Sequence, residues 1–278
     1  MSSPLSSVSE KPLLTSIVIP FTREWVVDDF LAMFEKIDFG LKTAIELIFY
    51  NDSDNIKLQE KLLKWITVNG DAFGAHKIYM SGNPLLPEAG DGHNVTMRRE
   101  RIVEMKRNTA KLVGNSFFVF CLEDDTFVAP DTYKKLLRHI QKPNVGLASG
   151  VELGRWAYSV IGAWSITPLE DPETVETIPY CKSGIQEVSA TGWYCYITKT
   201  NLYKKAEYRF EAECFGPDVC YGWDVSRSGR EVLVDWSIVC EHRQVNGDSL
   251  YPNSRALVVS YFKDKYNHWI ATFKTDVH

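Results

Sequence analysis

The sequence predicts an α/β fold: a mostly parallel central sheet flanked by helices, with a small antiparallel extension. Three observations carry that prediction. From Ser16 to Met80, short apolar runs alternate with stretches of helical periodicity. The run Phe117-Phe-Val-Phe-Cys-Leu122 is continuously apolar, which suits a strand covered on both faces. The second half carries more aromatics and glycines and less regular spacing, and Trp156 to Ile166 reads there as antiparallel strands.

Each element has its own signal. Ser16 to Pro20 is a short apolar strand with proline at its end. Trp25 to Phe39 places Val27, Phe30, Leu31, Phe34 and Ile37 at helical spacing, and Gly40 stops it. Ala44 to Tyr50 is a second buried strand, running into Asn51-Asp52-Ser53-Asp54, polar residues able to cap a helix over Asn55 to Asn69. Ile56, Leu62, Leu63 and Ile66 are the expected inner face of that helix, with Gly70 beyond it. Lys77 to Met80 is a third strand, so the opening reads strand–helix–strand–helix–strand, a doubly wound arrangement.

A Pro/Gly-rich loop, Asn83 to Asn94, precedes a basic helix over Val95 to Val113. Its expected inner residues are Ile102, Met105, Ala110 and Val113, while Arg98, Arg99, Arg101, Lys106, Arg107 and Lys111 read as a solvated face or a phosphate clamp. Pro130-Asp131 opens a helix with Tyr133, Leu136, Leu137 and Ile140 inward, and Val145 to Val151 is another strand. Glu170 to Thr177 is loop-like, Glu187 to Thr198 alternates around Gly192, and Asn201 to Ala206 is a short helix.

Composition bounds the function. With 45% hydrophobic residues in 278, the chain buries a sizeable core. A net charge of −5 counts against a dedicated polyanion binder. No apolar run reaches the ~18 residues that cross a bilayer. Met1 to Pro12, rich in Ser and Pro and without an apolar core, reads as a disordered lead-in and not a signal peptide. Six scattered cysteines, with no Cys-x-x-Cys pair, argue against a zinc site or disulfide framework, and three of them (Cys121, Cys195, Cys240) sit in apolar runs; the expected compartment is the cytosol.

The central apolar run breaks into three consecutive carboxylates, Glu123, Asp124 and Asp125. In open α/β sheets the carboxyl rim of the strands is where ligands bind. Hard oxygen ligands there suit Mg²⁺ or Mn²⁺. Taken alone, the cluster reads equally as an acidic turn before a helix capped by Asp131.

Four elements in a fixed order extend this reading: a strand ending in Asn51-Asp52-x-Asp54; the pair Arg107-Asn108; Leu122-Glu-Asp-Asp-Thr126; and Phe215-Gly-Pro-Asp218, Gly229, Asp235 and His242. Together they resemble the GT-A glycosyltransferases, glycosyltransferase family 2 above all, over residues 14 to 245. The sequence departs from the family pattern at Glu123, where Asp is usual, and at Pro217-Asp218, where Glu-Asp is usual. The resemblance implies a catalytic unit over 13–245, with a nucleotide-sugar half (13–130) and an acceptor half (131–245). The remainder, 246–278, with Leu257, Tyr261, Phe262 and Trp269, is expected to pack on it as a helical cover.

The reaction so implied moves a sugar from a nucleoside-diphosphate sugar, expected to be a UDP-sugar, to an acceptor hydroxyl. By resemblance Asp125 is the leading ligand of Mn²⁺ or Mg²⁺, with Glu123 on the metal or ribose and His242 completing the site. A histidine at a strand end reads equally as a structural hydrogen-bonding residue. Pro20, Asp52, Asp54, Arg107 and Asp124 are the nucleotide-binding candidates; for Asp52 and Asp54 the plain alternative is helix capping. Gly192 and Trp193 resemble the donor-sugar wall, although an aromatic in such a run also serves as core. Asp218 is the candidate general base, with N-capping as its alternative; Asp224 is second, and reads otherwise as a surface charge or a partner for Arg227. A single base facing the leaving group implies inversion.

Two other classes compete. A sugar-phosphate nucleotidyltransferase would carry a glycine-rich phosphate loop after the first strand, and Ile19-Pro-Phe-Thr-Arg-Glu24 has no glycine. A non-catalytic carbohydrate- or nucleotide-binding module has no need of both Asp125 and Asp218. Saccharide, protein and nucleic-acid acceptors all remain open.

Overall fold

The computed structural model describes residues 13–84, 94–154, 157–172, 174–179, 183–211 and 216–243. The expected lead-in, most of the Pro/Gly-rich loop and the segment 246–278 lie outside the described residues, as do Cys181, Cys214 and Phe215. The chain runs through β1 (Leu13–Phe21), α1 (Val27–Phe34), β2 (Ile45–Asn51), α2 (Ile56–Asn69), β3 (Ala75–Met80), α3 (Asn94–Leu112) and β4 (Ser116–Leu122). It continues through β5 (Thr126–Phe127), α4 (Thr132–Ile140), β6 (Val145–Val151), β7 (Leu153–Gly154), β8 (Ala157–Thr167), β9 (Thr174–Pro179) and β10 (Ile185–Val188). Last come β11 (Ala190–Thr191), β12 (Cys195–Lys199), α5 (Thr200–Lys205), α6 (Pro217–Arg227), β13 (Glu231–Val239) and β14 (Glu241–His242).

Eight strands form one sheet in the order β10-β13-β6-β12-β4-β1-β2-β3, drawing on both halves of the sequence. Strands β4, β1, β2 and β3 are parallel, and β6 is parallel to β13. Strand β12 runs against both β4 and β6, so those two point the same way and their carboxyl ends share one rim. A smaller antiparallel sheet joins β11, β8 and β7, with β9 on β8, as expected for the second half.

Period-two alternation builds two cores. Ile17, Ile19, Phe21, Leu47 and Phe49 face the layer of α1, α2 and α4, where Phe30, Leu58, Leu62, Tyr133 and Leu136 meet them. Val18, Ile48, Val119 and Cys121 face the other layer, with Val103 of α3, Tyr203 of α5 and Tyr221 of α6. Pro20 is the last residue but one of β1; the ladder to β4 stops at Val18↔Cys121, while Ile19, Pro20 and Phe21 stay paired with β2 alone.

Several expectations change. Only the second half of β4 is buried; Phe117 is 62% exposed, although the strand's amino end is paired with β1 from Ser116 onward. The inner face of α2 is Leu58, Leu62 and Ile66, an i, i+4, i+8 stripe, while Ile56 and Leu63 point to solvent. On α3 it is Val103, Lys106, Ala110 and Val113 that turn inward and Ile102 that is exposed. Helix α1 ends at Phe34, short of the span expected, although Ile37 is still buried. The Glu170 to Thr177 stretch is not all loop, since β9 begins at Thr174 and pairs with β8. Cys121, Cys195, Cys220 and Cys240 are buried free thiols.

Helix α6 packs on β11 through Gly222, where a Cβ would lie 2.6 Å from the Ala190 Cα. Gly222→Val therefore forces α6 off the small sheet, and overpacking of this kind costs about 1–3 kcal/mol. Urea unfolding of the variant against wild type measures that loss; an unchanged midpoint would contradict the close approach.

Candidate functional site

The rim above β4 is organised by a tight turn. The Thr126 N–H donates to the Glu123 carbonyl (3.1 Å), and the Glu123 N–H donates to the Tyr194 carbonyl (3.0 Å). A chain that reverses over four residues sends its successive side chains in different directions. Asp124 turns back to the end of β1, where its Oδ2 accepts from the Thr22 N–H (2.7 Å) and the Arg23 N–H (2.9 Å), and its Oδ1 accepts from the Arg23 guanidinium. Asp125 faces the far end of the described chain, and Glu123 stays half-buried at the rim.

A second short ladder closes the site. Strand β14 pairs antiparallel with β5, His242 opposite Thr126 and Glu241 opposite Phe127, and the Arg243 N–H donates to the Asp125 carbonyl (2.8 Å). His242 Nε2 thereby comes to 2.8 Å from Asp125 Oδ2, while its Nδ1 lies 2.6 Å from Glu152 Oε1, just past the end of β6. Ligand atoms of Glu123, Asp125 and His242 all fall within 4.8 Å of one another. Two carboxylate oxygens and an imidazole are a donor set that fits Mn²⁺ and, less well, Mg²⁺.

Positive charge balances the cluster. Arg23 Nη2 is 3.1 Å from Asp125 Oδ2, so one guanidinium spans Asp124 and Asp125. Burial works against the Arg23 charge, but Asp125, Asp124 and Glu123 outweigh it and raise its pKa above the ordinary value. Burial likewise opposes the charged form of His242, and the carboxylates of Glu152 and Asp125 overcome it, raising the imidazole to about 10.

Solved structures share this architecture. A mannosyltransferase from Pyrobaculum calidifontis, in complex with GDP-Man and Mn²⁺, is 12% identical with a TM-score of 0.56 over 97% of this chain and 66% of its own. GalNAc-T7 with UDP, GalNAc and Mn²⁺ is 15% identical with a TM-score of 0.58 over 94% of this chain and 50% of its own. The S. aureus protein TarS is 15% identical with a TM-score of 0.50 over 90% of this chain and 40% of its own. This chain has the GT-A fold. It spans two thirds or less of the length of each of these proteins. No family model and no curated protein matches the sequence.

Within the GT-A frame the predicted residues separate into groups. Glu123, Asp125 and His242 come together. Asp218 is not the cap of α6, which is Gly216, but stands in the first turn after Pro217, its Oδ1 accepting from the Val219 N–H (3.0 Å). Burial pushes the Asp218 carboxyl above the usual range; the backbone N–H and the charge of Arg99 pull it back, and Glu152 adds to the rise. Asp224 pairs with Arg209 and not with Arg227, whose guanidinium lies over the Trp223 ring.

Asp52, just beyond β2, is buried and doubly held: Arg101 Nε donates to Oδ2 (2.6 Å) and Asn83 Nδ2 to Oδ1 (2.8 Å). Neither Asp52 nor Asp54 caps α2. That cap is Asn55, whose Oδ1 accepts from the Leu58 N–H (3.1 Å), and Asp54 is exposed. Arg107 is exposed and donates to the Tyr208 carbonyl (2.7 Å). Lys106 is buried, its Nζ 4.6 Å from the Trp193 ring centre and 3.2 Å from the Tyr196 hydroxyl. Trp193 thus has core surroundings, between Lys106, Tyr208 and Tyr221. At Gly192 the space of a side chain is taken by the Tyr194 ring, 2.7 Å from where a Cβ would be. Gly229 has φ +75°, a left-handed residue just after α6. Asp235 is far from a ligand role: it pairs with His139 (2.8 Å) inside the α4–β13 contact.

Sequence reasoning missed Arg23, Asn83 and Glu152; Arg101, read as part of a solvated face or a phosphate clamp, holds Asp52 instead. Arg23 follows a strand end and faced three carboxylates in a row, a signal that was available. Glu152, at the end of β6, had no such cue.

Replacing Asp124 by Asn removes the charge that three donors share. Hydrogen bonds to a charged group contribute about 1.5–3 kcal/mol, and a loss of that size is expected for Asp124→Asn. A drop in thermal midpoint without loss of native circular dichroism is the anticipated result; unchanged stability would show that the turn holds without this clasp.

Proposed function

We propose that this chain is a metal-dependent glycosyltransferase that moves a sugar from a nucleoside-diphosphate sugar to an acceptor hydroxyl. The observation that carries the reading is the convergence of Glu123, Asp125 and His242 within 4.8 Å at the carboxyl rim of a GT-A sheet. It is supported by the solved neighbours, whose complexes contain GDP-Man or UDP together with Mn²⁺. A divalent cation held by these three side chains supplies Lewis-acid stabilisation of the charge that gathers on the leaving diphosphate.

The protein's own groups take the remaining roles. Asp52, pre-oriented by Arg101 and Asn83, stands at the end of β2 for the base and ribose, with exposed Asp54 beside it. Asp124 shapes the nucleotide edge by holding the turn after β1, and Pro20 borders it from the end of that strand. Arg23, and not Arg107, is assigned the diphosphate, since Arg23 already touches Asp125 while Arg107 is engaged by the Tyr208 carbonyl. Gly192 and Trp193 border the donor sugar through their backbone, the Trp193 ring being buried beneath.

Asp218 is the general base. Its raised pKa makes it a stronger proton acceptor than an ordinary carboxylate, as deprotonating an attacking hydroxyl requires. Displacement assisted by one base inverts the anomeric centre. We favour a UDP-sugar donor and a cytosolic setting, the latter on the four buried free thiols. Among the described residues no helix is long and apolar enough to cross a membrane. The acceptor is a hydroxyl compound; a nucleic acid is disfavoured because Arg101 and Lys106 turn into the protein and the exposed Arg107 is engaged by the Tyr208 carbonyl.

Two measurements test this. A thermal-shift screen of UDP- and GDP-sugars should show a rise that needs both nucleotide sugar and Mn²⁺. At a hundredfold excess over Kd a ligand adds about 2.7 kcal/mol. Silence across the whole screen would remove the donor assignment. Asp218→Asn should lower turnover by about 10²–10⁴-fold while leaving donor affinity intact. In the wild type the acid limb of kcat/KM should lie above ~3.9, the ordinary Asp value, because the rate falls as pH drops through a raised pKa. Full activity in Asp218→Asn would transfer the base role elsewhere.

A further inference from the structure

We infer that Glu152 is a positioning residue for His242, fixing the ring nitrogen and the ring plane that the metal site uses. The inference rests on the metal-site reading above and adds a residue to it. Glu152, His242 and Asp125 form one buried string: Glu152 Oε1 to His242 Nδ1 is 2.6 Å, and His242 Nε2 to Asp125 Oδ2 is 2.8 Å. The three residues are nearly sealed from solvent, at 8%, 4% and 3% exposure.

Glu152 stands behind the imidazole and not beside the ligands. The cluster whose donor atoms lie within 4.8 Å contains Glu123, Asp125 and His242 but not Glu152. Its carboxylate occupies the Nδ1 side of the ring, so only Nε2 faces Asp125. An acceptor on Nδ1 keeps the proton on that nitrogen, so a cation displaces only the Nε2 proton and takes up that lone pair. A carboxylate behind a ligating histidine also raises the ring's basicity, which strengthens coordination.

The backbone holds Glu152 in place independently of its side chain. The Gly162 N–H donates to the Glu152 carbonyl (2.9 Å), and the Gly162 carbonyl accepts from the Gly192 N–H (2.7 Å). The end of β6 is thereby fastened to β8 and to the loop before β12. A buried ion pair is by itself weak support for stability. Orientation of a functional ring explains the burial of this carboxylate better than stability does.

The test uses the full chain and Mn²⁺ as probe, with no nucleotide. Titration calorimetry, checked by the electron paramagnetic resonance of free Mn²⁺, compares wild type, Glu152→Gln, His242→Ala and the double variant. The expected result is about 10–100-fold weaker Mn²⁺ binding in Glu152→Gln. In the His242→Ala background Glu152→Gln should make no further difference, because its effect passes through the ring. Unaltered affinity in Glu152→Gln, or an equal loss in both backgrounds, overturns the inference while leaving the metal site standing. Absence of Mn²⁺ binding by wild type overturns the metal site and this inference with it. If Glu152→Gln fails to fold, histidine ¹⁵N shifts of the wild type with Mg²⁺ decide: a proton on Nδ1 of His242 supports the positioning role, and a proton on Nε2 refutes it.

Discussion

The site depends on a two-residue antiparallel ladder, Thr126–Phe127 against Glu241–His242. The turn after β4 and the exit of β13 are remote in sequence, and closing such a loop costs entropy that local contacts do not repay. The β6–β13 pairing repays it, because it already lays the end of β13 along the same rim as β4. The ladder then costs little, and it sets the imidazole against Asp125.

Charge is the second constraint. Glu123, Asp124 and Asp125 are consecutive, and like charges this close repel strongly where water is scarce. The fold answers by dividing them. Asp124 is tied to backbone N–H groups and Arg23, Asp125 lies between Arg23 and His242, and Glu123 keeps contact with the rim. An acidic triplet that would be a solvated turn on a surface becomes three carboxylates with separate partners, of which Glu123 and Asp125 converge with His242. Each member has a different neighbour, so each has a different task.

Much of this was legible beforehand because it is local. The strand–helix alternation, the buried run up to Leu122 and the carboxylates at its end follow from periodicity within short windows. The faces of α2 and α3 were read less well. Leu63 and Ile102 fit a helical stripe as easily as Leu58 and Val103 do, and only the sheet beneath selects among them. Lys106 is the sharper case. A lysine on a basic helix reads as solvated, yet Trp193 and Tyr196, far along the chain, offer aromatic faces that accept its charge.

By itself the sequence determined the α/β class, the strand ends that carry Asp52 and Asp125, and the residue types able to hold a divalent cation. Tertiary structure alone decided which of those residues meet. Arg23 and Glu152 became part of the site, Asp235 went to His139 and Asp54 to solvent. The physical reason is that periodicity encodes which face a side chain points to, whereas a shared ligand position depends on strand order. Strand order is settled by packing among segments remote in sequence, and no short window contains it.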